Sequence, residues 1–356
     1  MDRDQTTSGA GAATDIDTLL ASYDISYAWN YGSVKEGLRD LYEKAKRDQW
    51  NGSVQLDWST QVDPEGEIIP QIYNPLEDYA PFQKLDEKRT KEFRHATISL
   101  QLSQFMHGEQ GALIVASQLV GAVPWMDAKY YAATQTMDEA RHVEVFARYL
   151  REKLEWEWPI NQNLKQLLDL IIQDSRWDMK YLGMQILVEG LAMAAFSSMY
   201  KMAVEPLVRD VVHYVMKDES RHVAFGVISL RDYYTDMGAS ERREREEFVI
   251  EGSYHLRDRF NSPEMWEQLG FDWKEVGPEL DQAEGHTRFK KRLFSRIVPT
   301  VRDIGLWSEK VQKAYTELGG IQYAQTNAQE MLDNDAKVAE EFDKKMRDGF
   351  ALIPQK

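Results

Sequence analysis

Cysteine is absent from the 356 residues, which removes disulfides, cysteine-ligated iron–sulfur clusters and thiol nucleophiles from this chain. Any metal must then be held by histidine and carboxylate. Long apolar runs are lacking too. No uninterrupted stretch approaches the roughly 20 residues that span a bilayer, and the N-terminus has neither the basic nor the apolar region of a signal peptide. No membrane span and a cytoplasmic location are therefore expected. Positive charge is in deficit, with 43 Lys and Arg against 59 Asp and Glu and a formal net charge of −16. A phosphate backbone would be repelled, which excludes nucleic acid as the main partner.

Proline is sparse, and its positions punctuate a helical pattern. Residues 1–20 open in small and polar types that bury too little apolar area to order themselves, and read as a loose tail. Residues 21–84 read as an N-terminal arm with one amphipathic helix, whose stripe is Leu38, Leu41, Tyr42 and Ala45. From 85 onward helices are predicted over about 85–122, 127–157, 176–203 and 206–235, stopping near Pro124 and before Pro159, and restarting at Pro206. A shorter helix falls on "LKQLLDLIIQD". Residues 85–237 form the core on this reading, and 238–356 are further helices packed on it. The expected fold is all-α, a bundle of four long helices with flanking helices and an extended N-terminal arm.

The chain writes one word twice. "DEARH" at 138–142 returns as "DESRH" at 218–222, 80 residues later. An acid stands 30 residues before each copy: Glu109 precedes Glu139, and Glu189 precedes Glu219. Glu109 and Glu139 lie equally far from Pro124, so in an antiparallel pair turning there they reach one height, at a rise of about 1.5 Å per residue. The midpoint of Glu189 and Glu219 falls beside Pro206, and the same levelling applies. Glu139 with His142, and Glu219 with His222, are three apart and share a helical face. Four carboxylates and two imidazoles are thus expected to converge midway along the bundle. Glu109 and Glu189 carry the most weight, because each interrupts an apolar segment and an unpaired buried carboxylate is costly.

A Glu from each of two helices with Glu-x-x-His from each of two others resembles the ligand pattern of the ferritin-like di-iron carboxylate superfamily. The D-E-x-R-H form in both halves is similar to its oxygen-activating branch. That branch includes monooxygenase hydroxylases, acyl-carrier-protein desaturases, arylamine N-oxygenases and the small subunit of ribonucleotide reductase. The resemblance covers about 85–235. It implies metal ligands, and hence catalytic residues, at Glu109, Glu139, His142, Glu189, Glu219 and His222, holding two iron ions or a manganese–iron pair. Asp138 and Asp218 match the outer aspartates of that branch, each expected to hold the histidine of the opposite repeat, with Arg141 and Arg221 balancing their charge. Where the reductase carries its radical tyrosine this chain has Phe146. Where the arylamine N-oxygenases carry an extra histidine it has Val215.

The resemblance implies a dioxygen-activating oxygenase or oxidase for a small, apolar organic substrate, with hydroxylation or related oxygen insertion first. N-oxygenation or desaturation at the same site is one alternative, and a ferroxidase or metal-storage bundle without organic substrate is another. An external reductase or ferredoxin is implied as electron donor, unless the substrate itself supplies the electrons, because the chain has no cysteine for a cluster and nothing resembling a flavin site. A homodimer is expected. Phe105, Met106, Leu113, Met193 and Phe196 are candidates for an apolar substrate pocket, although a stripe of Met184, Met193, Phe196 and Met199 reads first as core. His107 and His213 are off the ligand face, and Glu144 and Glu205 read as solvent-facing or capping.

Overall fold

The computed structural model describes residues 16–70, 74 and 79–351. The first fifteen residues of the expected tail, and 71–73 and 75–78 of the arm, lie outside the described residues. Fifteen α-helices are described, and no strand occurs among the described residues. In the arm they are α1 (Glu36–Arg47), α2 (Gly52–Gln55) and α3 (Ala80–Gln83). Then come α4 (Glu87–Ala122), α5 (Met126–Tyr149), α6 (Gln162–Gln173), α7 (Trp177–Tyr181), α8 (Glu189–Met202) and α9 (Pro206–Thr235). The C-terminal part holds α10 (Ala239–Asp258), α11 (Pro263–Gln268), α12 (Trp273–Gln282), α13 (Glu284–Asp303), α14 (Glu309–Glu317) and α15 (Ala328–Ala351).

The four rods of the bundle begin and end where local chemistry dictates. Asp86 caps α4 by accepting from the Arg89 N–H at 2.8 Å, and the helix stops two residues before Pro124. Glu205 caps α9, its two oxygens accepting from Leu207 N at 2.8 Å and Val208 N at 2.7 Å, with Pro206 at the first helical position. The second rod departs from expectation. It leaves α-geometry at Leu150, continues as one π-helical stretch to Leu154 and ends at Glu155, whose φ of 53° is left-handed. The third rod is continuous from Trp177 to Met202 but passes through a π-helical stretch, Leu182–Val188, directly before Glu189. Such wide turns insert a residue into the helix and re-aim the side chains beyond it.

That third rod is apolar and long enough to cross a membrane by length and composition, yet most of it is buried inside the protein. It is the central strut. Met184, Met193, Phe196 and Met199 on it are all buried in the main core, as the core reading of that stripe requires. The helix α13 packs on α8, α10 on α6 and the π-helical stretch, α15 on α9, and α1 on α5 and α9. A smaller core built on Phe82, Phe93, Trp158, Met265 and Trp266 attaches α11 and α12 to the start of α4. The arm is pinned to the bundle by Asp127, which accepts from Val34 N at 2.8 Å, Lys35 N at 2.9 Å and Arg39 Nε at 2.8 Å.

Gly226 lets α9 close on the π-helical stretch. A Cβ there would lie 2.5 Å from Gln185 Cβ and 3.2 Å from Ile186 Cδ1. Because Gln185 Cβ is fixed to its backbone, it cannot yield. Gly226→Val is expected to destabilise the fold by about 1–3 kcal/mol or more through overpacking, measured as a lowered urea midpoint. An unchanged midpoint would show that the two helices separate freely.

Candidate metal centre

The six ligand candidates meet in the middle of the bundle, all of them buried. Glu109 comes from α4, Glu139 and His142 from α5, Glu189 from the first turn of α8, and Glu219 and His222 from α9. Their donor atoms fall into two groups, each with all members within 4.8 Å of one another: Glu109, Glu139, His142 and Glu219 in one, Glu139, Glu189 and His222 in the other. These are not the two halves of the sequence. Glu219 joins the first-half residues, and Glu139 belongs to both groups, where a carboxylate can bridge two ions.

Both imidazoles turn Nδ1 towards the carboxylates and Nε2 away. His142 Nδ1 is 3.3 Å from Glu109 Oε2, Glu139 Oε2 and Glu219 Oε1, and His222 Nδ1 is 3.1 Å from Glu139 Oε1. On the far side His142 Nε2 meets Asp218 Oδ2 at 3.2 Å, and His222 Nε2 meets Asp138 Oδ2 at 3.4 Å. Each aspartate therefore holds the histidine of the opposite repeat. Arg141 Nη2 bridges Asp138 Oδ1 at 2.5 Å and Asp218 Oδ2 at 3.1 Å, and Arg221 pairs with Asp218. The arginines balance the aspartates, so the negative charge left over belongs to the four glutamates.

Glu139 Oε2, Glu189 Oε2, both oxygens of Glu219 and Nδ1 of His222 are buried without a hydrogen-bond partner. One buried acceptor left unpaired costs about 1–3 kcal/mol, and more if charged. Such acceptors, crowded into two groups that share Glu139, fit a pair of cations. Four carboxylates neutralise two divalent ions, and the oxygen-rich, imidazole-containing set suits iron or manganese. Titration behaviour reflects the same crowding. Burial, with the charge of Glu219 beside them, pushes the Glu109 and Glu189 carboxyls well above the usual range. Burial opposes charge on the two imidazoles, but the facing carboxylates outweigh it and hold both well above ordinary histidine.

Several groups around the site gave no sequence signal. Gln135 and Gln185, one turn before Glu139 and Glu189, are buried. Gln135 Nε2 donates to Glu139 Oε1 at 3.0 Å and Glu189 Oε1 at 2.8 Å, and Gln185 Nε2 donates to Gln135 Oε1 at 3.3 Å. From the arm, Trp50 Nε1 donates to Asp218 Oδ2 at 2.7 Å and Gln49 Nε2 to Asp138 Oδ1 at 3.0 Å. From the last helix, Asp343 pairs with the buried Lys217 at 2.8 Å, beside Asp218.

Two clusters of aromatic rings stand within two or three helical turns of the ligands along the rods. Phe105, Phe146 and Phe196 pack on one another with centroids 4.7–6.0 Å apart on one side. On the other, Phe225 packs on Tyr131 and Tyr181 at 4.5 and 4.8 Å. Of the pocket candidates, Phe105, Met106, Met193 and Phe196 are buried core and Leu113 is half-buried. His107 is spent on the Trp158 carbonyl at 2.8 Å, His213 is wedged between Tyr200 and Phe342, and Glu144 is exposed. Val215 is fully buried in α9.

A helical bundle with a buried carboxylate–histidine site of this kind defines a ferritin-like di-iron protein. Residues 33–305 match the sequence model of the p-aminobenzoate N-oxygenase AurF family, well over half of the chain, and the protein belongs to that family. It is a di-iron oxygenase, an oxidoreductase acting on an organic substrate. Among solved structures, a variant of an R2-like ligand-binding oxidase with an anaerobically reconstituted Mn/Fe cofactor is similar at 18% identity and a TM-score of 0.49, covering 76% of this chain and 94% of that one. An R2-like ligand-binding oxidase with aerobically reconstituted metal cofactor after photoconversion is similar at 17% identity and a TM-score of 0.43, covering 82% and 93%. No curated protein sequence matches the chain.

Proposed function

We propose that Glu109, Glu139, His142, Glu189, Glu219 and His222 hold the two irons and that the enzyme inserts oxygen into the amine nitrogen of a small aromatic substrate. The observation that carries the site assignment is the convergence of six buried carboxylate and imidazole side chains into two groups that share Glu139, with several of their oxygens accepting no hydrogen bond. The amine preference rests on the family match over 33–305. Bound iron would supply dioxygen activation. The chain's own residues do the rest. Asp138 and Asp218 fix the ring orientation of His222 and His142. Gln135 ties one oxygen of Glu139 and one of Glu189, and the other oxygen of each, which accepts no hydrogen bond, would hold the ions. Phe105, Phe146 and Phe196 keep water from the reacting atoms.

Electrons would come from an external reductase or ferredoxin, and the enzyme would work in the cytoplasm as a homodimer. A manganese–iron pair suits the same ligands, and elemental analysis separates the two compositions. One observation favours carbon hydroxylation as a second reading: an apolar side chain, Val215, stands one turn before Glu219, where the resemblance places an extra nitrogen ligand in arylamine N-oxygenases.

The test is a single turnover of the ferrous protein with isotopically labelled dioxygen and p-aminobenzoate or toluene as probes. Label in a hydroxylamino product supports N-oxygenation, and label in a phenol or benzylic alcohol supports the second reading. Label in neither, with many irons mineralised per chain, would overturn both in favour of storage.

A further inference from the structure

The last helix reaches back to the aspartates behind the metal ligands. α15 lies wholly beyond the family-matched segment, yet its Asp343 is only 5% exposed and the helix packs on α9. Asp343 Oδ1 meets Lys217 Nζ at 2.8 Å, and Asp343 Oδ2 stands 3.9 Å from Arg221 Nη1. Lys217 is itself buried, and its ammonium also donates to the Asp48 carbonyl at 3.1 Å. A second contact runs beside the first. Phe342 packs edge-on against Tyr214 at 5.0 Å, and Tyr214 stacks at 4.6 Å on Trp50, the indole that donates to Asp218. Arg47 Nη2, paired with Glu340 Oε2 at 2.8 Å, ties the same stretch of α15 to the arm.

Charge explains why an acid is needed there. Three buried cations, Arg141, Arg221 and Lys217, surround Asp138 and Asp218, and two aspartates cannot neutralise all three. Lys217 Nζ is 3.7 Å from Asp218 Oδ1, too long for a hydrogen bond, while Asp343 holds it at 2.8 Å. A buried ammonium that loses its counter-charge is costly and turns to the nearest acid. Here that acid is Asp218, which would then have less charge to offer His142 Nε2. We propose that Asp343 is a positioning residue of the metal centre: by neutralising Lys217 it keeps Asp218 for His142, so the docked C-terminal helix strengthens the hold on the ion at that histidine. The inference rests on His142 being a ligand, as proposed above. Its effect is one-sided. Asp138, which holds His222, is bonded by Gln49 and Arg141 and makes no pair with Lys217.

Chelator competition on the full-length protein with ferrous iron tests this, alongside proton NMR of the ferrous form, in which each ligand histidine contributes a paramagnetically shifted, exchangeable Nε2–H resonance. Asp343→Asn, which keeps the shape and removes the charge, is expected to weaken iron binding about three- to tenfold, less than the roughly 10–100-fold that follows loss of a histidine's own acceptor. It should move one histidine resonance, the same one that Asp218→Asn moves, and leave the other in place. Adding Lys217→Met removes the competing charge, so the double variant should regain the wild-type resonance and an affinity within about twofold of wild type. Lys217→Met alone should also bind iron like the wild type. A double variant at least as weak as Asp343→Asn would show that α15 need only be docked, and would overturn the proposal. So would Asp343→Asn with wild-type affinity and unmoved resonances, or a Lys217→Met variant that binds iron poorly by itself. Wild-type protein that binds two irons without any shifted histidine N–H resonance would instead overturn the ligand assignment beneath it.

Discussion

Replacing Glu189 by glutamine is expected to raise the unfolding temperature of the metal-free protein while abolishing its capacity for two irons. Glu189 is buried, its Oε2 has no partner, and burial with the neighbouring Glu219 charge pushes its carboxyl well above the usual range. A group whose folded pKa is raised stabilises the fold when protonated, and that contribution is lost as the pH rises through the folded value. At neutral pH the metal-free site therefore carries a penalty that an isosteric neutral amide removes. Relief of about 1–3 kcal/mol is expected, a shift of several degrees for a chain of this size. Gln135 Nε2, which donates to Glu189 Oε1 at 2.8 Å, keeps an acceptor in the amide. Iron-loaded wild type should reverse the order and outlast the variant, because binding energy is folding energy. Calorimetry with and without ferrous iron, alongside iron content, reads both effects. A variant that is less stable without metal and still binds two irons would show that Glu189 is structural.

The second large effect is expected at Asp218→Ala. Asp218 takes the Trp50 indole N–H at 2.7 Å, His142 Nε2 at 3.2 Å, Arg141 Nη2 at 3.1 Å and the Arg221 guanidinium. Lys217 Nζ stands 3.7 Å away. Its removal leaves two arginines and a lysine with too few buried acids, and breaking a buried pair from one side costs about 3–5 kcal/mol. His142 also loses the acceptor that orients its ring, worth about 10–100-fold in metal affinity. Burial would raise the Asp218 carboxyl, but Lys217, Arg221, His142 and Arg141 together hold it well below the ordinary 3.8. Its contribution is therefore fully present at neutral pH and fades only as the pH falls below that ordinary value. Asp218→Asn, which keeps an oxygen for His142 and Trp50, should retain more of the affinity than of the stability. Denaturant unfolding and chelator competition separate the two. Equal losses in both variants would mean that only the charge matters.

The part of this centre that is legible in the sequence rests on regular geometry. Glu139 and His142 share a face because three residues make nearly one turn, and Glu109 reaches their level because Pro124 fixes where the chain reverses. Pro206 does the same for the second half. The π-helical stretch at Leu182–Val188 escapes such reading, since nothing in an apolar run distinguishes an i→i+5 bond from an i→i+4 bond. Glu219 crosses to the first-half group for the related reason that levelling fixes height along the rods and not rotation about them. Trp50, Gln49 and Asp343 reach the aspartate shell through the docking of the arm and α15, contacts between residues far apart in the chain. Gln135 gives no signal of its own, because a lone glutamine on a helix normally faces water.

The most direct measurement is iron-edge anomalous diffraction from crystals of the iron-loaded protein. Two peaks are predicted about 3.5–4 Å apart, with Glu139 between them and Nδ1 of His142 and of His222 each on its own ion. Iron bound at surface carboxylates, or one peak touching neither imidazole, would contradict the account.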